Sequence, residues 1–144
     1  MWSDTLLALE RAHLLRLLLW GGMSVVAATG LVAWIAMRRY DSALLRGFSK
    51  QTAAWGLVIL VLAGIRLLRV EDRDLGAAIL LDRMLWLSVG LDIGLIVAGG
   101  TLALAAWKFG RRLGAVGAGV AIIVQATGLL VLDLHFAAIT GRIF

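Results

Sequence analysis

The chain has 144 residues, 62% of them apolar, and its 17 glycines bring the apolar-plus-glycine share to about three-quarters. Soluble domains carry about 45–50% on that count, and a chain this short has no water-soluble interior large enough to hide so much apolar surface. The formal net charge is +5 with no cysteine, which excludes a disulfide framework, a thiolate metal site and a cysteine nucleophile. Arginine supplies most of the positive charge, a bias that fits a bacterial genome rich in G and C. Basic residues flanking lipid-spanning segments explain a pI near 11.1 without any nucleic-acid partner.

The first element is an uncharged run from Leu17 to Met37, extended back to a span of about 14–37. Asp4 and Glu10 stand before it and its apolar core is too long for a signal peptide, so a retained span is expected. The second run begins at Gln51 and reaches 50–69 when Arg66 is accepted inside it. The third, Met84 to Trp107, is interrupted only by Asp92 and gives a span of 84–107. The fourth starts at Leu113, passes Asp133 and continues apolar, for a span of 113–138. A helix needs about 20 residues to cross the hydrocarbon layer, and an open sheet cannot cross it at all. The expected fold is all-α, a four-transmembrane-helix bundle forming a single integral membrane domain over 1–144.

An offset of 72 residues brings Leu9-Glu10-Arg11 onto Leu81-Asp82-Arg83, Thr29 onto Thr101, Arg39 onto Arg111 and Gly56-Leu57 onto Gly128-Leu129. Each half then reads as a helical hairpin, the two related by a pseudo-two-fold axis along the membrane normal. The two hairpin turns concentrate Arg38, Arg39, Arg46, Lys50, Lys108, Arg111 and Arg112 against Asp41 alone. The other face carries as many basic residues, Arg142 among them, but eight acids. Basic residues beside span ends mark the cytoplasmic side, which puts the termini in the periplasm of a bacterial inner-membrane protein. Trp34, Trp107, Trp20 and Trp86 read as interfacial anchors.

Polar residues converge on the half of the bilayer nearest the termini: Asp92, Asp133, Arg66, Arg16, His13 and His135, with Gln125 at mid-span. A carboxylate facing lipid costs about 2.5–3.5 kcal/mol even on the generous insertion scales. Asp92 and Asp133 should therefore face inward and pair with Arg66 and Arg16. Gly90 and Gly94 bracket Asp92 in a Gly-x-x-x-Gly spacing and, with Gly56 and Gly128, are expected at helix contacts. Ser88, Asp92, Gly99 and Ala103 form one small, polar stripe, and Thr52, Gly56, Ile59, Ala63 and Arg66 another. Two histidines cannot close a zinc site, and His13 is expected near the surface, so neither metal nor other cofactor is implied.

Gly90-Leu91-Asp92-Ile93-Gly94 in the third span, Gln125 followed by Leu129-Leu130 and Asp133 in the fourth, and Trp55 in the second together resemble a family of small, uncharacterised bacterial four-helix membrane proteins, a domain of unknown function. The resemblance covers about residues 50–135. It departs at Ser88, where the family has Asn, at Leu95, where it has an aromatic, and at Ala126, where it has Gly. It implies that Asp92 and Asp133 are features of the shared fold, and it implies no activity. The expected function is a non-enzymatic accessory or scaffold subunit whose surroundings are the lipid bilayer and a larger membrane complex or a second copy of itself. An alternative is a small proton- or ion-coupled transporter using Asp92 and Asp133. A third reading is a haem- or quinone-binding protein.

Overall fold

A computed structural model describes residues 2–71 and 73–141; Asp72 and Arg142 lie outside them. Four helices follow one another: α1 (Trp2–Arg38), α2 (Ala43–Leu68), α3 (Leu75–Lys108) and α4 (Leu113–Thr140). All four are long and apolar enough to cross a membrane, and the described residues contain no strand. The outer faces are apolar, with Leu19, Val26, Val97 and Leu104 each more than 60% exposed. The interior, by contrast, holds Glu10, His13, Ser24, Thr52, Asp92, Gln125 and Asp133. In water that distribution would be unstable; in lipid it places hydrocarbon against hydrocarbon and leaves polar groups to bond one another.

Without proline, the helix ends are set by capping. Ser42 Oγ accepts from Leu45 N–H at 3.3 Å to start α2, and Asp74 Oδ1 accepts from Ala77 N–H at 2.7 Å to start α3. Both hairpin turns place an arginine in the left-handed region, Arg39 at φ 51° and Arg111 at φ 48°. These two positions coincide under the 72-residue offset, so the halves share a turn geometry as well as a sequence echo.

Their contacts are not equivalent. α1 packs along α2, α3 along α4, and α2 against α4, with a shorter α1–α4 contact. Among the described residues no Cα of α3 comes within 8 Å of α1 or α2. The close approaches are made by glycines. A Cβ on Gly56 would lie 2.9 Å from the Gly21 carbonyl oxygen, and one on Gly99 would lie 2.8 Å from that of Gly119. Cβ atoms on Gly47 and Gly117 would run into the carbonyls of Gly114 and Leu44, which fixes where α2 and α4 cross near the turns. Toward the termini the hairpins part, and Leu6, Ala78, Leu81, Leu85, Phe136 and Ala137 close the end with a small apolar cluster.

Gly90 and Gly94 have open space around them and are exposed, so they do not serve the bundle's own helix contacts. The reason is helical phase: a residue two positions from inward-facing Asp92 is turned about 200° away from it. Gly56 is buried against Gly21, and Gly128 lies against the ring of Trp20. Trp20 itself is turned inward rather than anchored at the surface, while Trp34, Trp86 and Trp107 are exposed at 45%, 56% and 51%.

Candidate functional site

Where the hairpins part, all four helices line a cavity of about 340 Å³. Its walls are mainly apolar, with leucine the commonest residue, and Glu10, His13, Trp55, Arg66, Ser88, Asp92 and Asp133 contribute polar groups. The lining residues Leu62 on α2 and Met84 and Leu91 on α3 are 58%, 52% and 61% exposed. They form a rim between α2 and α3, the two helices that fail to meet. The cavity therefore opens sideways at apolar, lipid-facing positions.

The polar groups are partnered unevenly. Glu10, whose side chain is 3% exposed, accepts two bonds from Arg73, at 2.8 Å from Nε and 2.7 Å from Nη2, and has Arg66 Nη2 at 3.9 Å. This bidentate clasp ties the α2–α3 loop to α1. Hydrogen bonding to Glu10 raises the Arg73 pKa above its ordinary value against the opposing effect of burial. Deeper in, His13 Nε2 lies 3.2 Å from Asp133 Oδ1, and the imidazole stacks on Phe136 with ring centroids 4.4 Å apart. Asp92 is 5% exposed and its Oδ2 has no partner. His13 Nδ1 and Trp55 Nε1 are also buried without a partner. Three of the four such atoms among the described residues thus belong to side chains lining one cavity.

Asp92 and Asp133 both face inward, but the expected arginine pairs do not form. Arg66 turns to Glu10, because α2 packs on α1 and not on α3. It also lies two residues from the end of α2, whereas Asp92 is 17 residues inside α3, about 25 Å along the helix. Arg16 and His135 are exposed, each two positions past an inward residue, Leu14 and Asp133 respectively. His13 and His135 consequently do not bracket a common space, which removes the arrangement a bis-histidine haem would need. No group of three or more His, Asp or Glu among the described residues could hold a metal ion.

Gln125 belongs to a separate layer below the cavity. Trp20 Nε1–H donates to its Oε1 at 3.0 Å, its amide donates to Ser24 Oγ at 3.1 Å, and Ser24 donates to the Trp20 carbonyl at 2.8 Å. This closed circuit locks α1 to α4. In the sequence Glu10 stands ahead of the first uncharged run, Trp20 stands where an interfacial anchor is expected, and Arg73 lies in a connecting segment. The available signal was spacing: Leu6, Glu10, His13, Leu17, Gly21, Ser24 and Ala28 recur at steps of three and four along one face of α1.

The family of unknown function DUF6992 matches residues 16–134. The chain belongs to this family. No curated protein and no solved structure matches it. The matched stretch takes in Trp55, Arg66, Asp92, Gln125 and Asp133, and begins after Glu10 and His13.

Proposed function

We propose that this DUF6992 protein is a non-enzymatic, multi-pass protein of the bacterial inner membrane, with periplasmic termini, that takes a small amphiphilic molecule into the cavity between its hairpins. The observation that carries the reading is the cavity itself: about 340 Å³, apolar walls, a few convergent polar groups, and a lateral rim at lipid-facing positions. No step of bond chemistry is assigned to it; the Ser88 hydroxyl in its wall donates to the Met84 carbonyl at 3.1 Å. This ligand-binding reading is favoured over a purely structural ion-pair cluster because Asp92 has no cation beside it among the described residues.

Extraction of the chain with its surrounding lipid into polymer-bounded discs, followed by mass spectrometry of small molecules, tests this. The unaltered chain should retain an amphiphile that Ala63→Leu, which fills the cavity wall, fails to retain. Identical small-molecule content in the two would overturn the proposal.

A second reading, docking onto a larger membrane complex or a second copy, draws on the open Gly90 and Gly94 face of α3. Its sign would be a co-purifying chain, or a dimer, lost on Gly90→Leu.

A further inference from the structure

We propose that the cavity selects a protonated amine bearing an apolar tail, with Asp92 Oδ2 and His13 Nδ1 as the acceptors of its N–H groups. This rests on the cavity being an amphiphile site at all, and it names the chemical class of the occupant.

Three carboxylates line the cavity, and their partners differ. Glu10 has Arg73 and Arg66, Asp133 has His13, and Asp92 has none among the described residues. A buried carboxylate in the middle of a membrane helix is costly unless a cation or donors reach it. Asp92 is therefore a carboxylate on the cavity wall with no cation beside it among the described residues.

Hydrogen bonding narrows the class further. In the neutral imidazole that gives Nε2–H to Asp133, the remaining His13 nitrogen is an acceptor. Two of the three unpartnered atoms are then acceptors, one of them charged. An ammonium head offers several N–H donors, a positive charge and no acceptor. A quinone or a carboxylate head would set oxygen against oxygen. The remaining unpartnered atom, Trp55 Nε1, is a donor and is not used by this ligand. The apolar rim at Leu62, Met84 and Leu91 gives the tail an exit into lipid while the head stays at depth.

Equilibrium dialysis of the full chain in lipid nanodiscs at neutral pH, with empty nanodiscs subtracted, separates the possibilities using octylammonium, octyltrimethylammonium, octanol and octanoate. Octylammonium should saturate at one molecule per chain. It should bind about tenfold tighter than octyltrimethylammonium, which has the charge but no N–H, as expected for a charge-assisted hydrogen bond. Octanoate should not saturate. Asp92→Asn should weaken octylammonium by about tenfold and leave octanol unchanged, with Asp92→Glu restoring the cation. Octanol or octanoate binding as tightly as octylammonium overturns the amine assignment while the cavity reading survives. Equal affinity for the two cations removes His13 and Asp92 as N–H acceptors and overturns it too. Saturable binding by none of the four overturns both. The probes are compared on the unaltered chain, so the result stands whether or not a variant inserts.

Discussion

Glu10 and Asp92 are both buried acids, and opposite consequences follow from their partners. Glu10 is held by two short bonds, so Glu10→Ala leaves the Arg73 guanidinium uncompensated and should cost about 2 kcal/mol in chemical unfolding from detergent micelles. Because Arg73 is raised in the folded state, its share of that clasp is present below the unfolded arginine pKa and is lost only in strong alkali. A melting temperature independent of pH across the neutral range in a Glu10→Gln comparison checks it. Asp92→Asn removes an unanswered buried charge and should raise stability by about 1 kcal/mol while weakening cation retention. A clear loss of stability in that variant would return Asp92 to a purely structural role. Both acids were visible as letters in the chain. Which one was answered was not, since Arg66 could be assigned to Glu10 only after α1 and α2 were known to pack together.

At the scale of elements, helix boundaries and faces follow from short-range chemistry, whereas helix contacts depend on phase. Gly47 and Gly117 sit where α2 and α4 cross backbone to backbone, and Gly90 and Gly94 sit in open space. Gly47→Val should therefore abolish assembly of the two hairpins, read as loss of the folded band after mild detergent extraction. Gly90→Ala and Gly94→Ala should each leave the isolated protein as stable or up to about 1 kcal/mol more stable, since alanine is the better helix former. The Gly-x-x-x-Gly spacing was legible in the sequence, but its direction was set by Asp92, which takes the inward position and turns both glycines out. Arg39→Gly relieves a left-handed residue and should gain about 1 kcal/mol in the same unfolding assay. Arg111→Gly should gain less, because it also loses the guanidinium lying 5.6 Å over the Trp107 ring.

For the molecule as a whole, the absence of cysteine permits single-cysteine mapping in the otherwise native chain. Cysteines at Ser3 and Ser42 should label from opposite sides of the membrane, Ser3 from the periplasm under the proposed orientation. Labelling of both from one side would contradict the four-span topology. That topology was determined by the sequence alone, because about three-quarters apolar-plus-glycine content and four long uncharged runs admit few structures in lipid. The two basic turns were also legible, and Arg39 and Arg111 share a backbone conformation there. What only the tertiary structure decided is the unequal packing of the two hairpins. α1 reaches α4, but α3 does not reach α2, and the vacant position becomes a cavity facing Asp92. Periodicity specifies which face of each helix turns inward, while the relative tilt of two hairpins depends on side-chain volumes and glycine contacts summed over every interface. No local pattern along the chain encodes that sum.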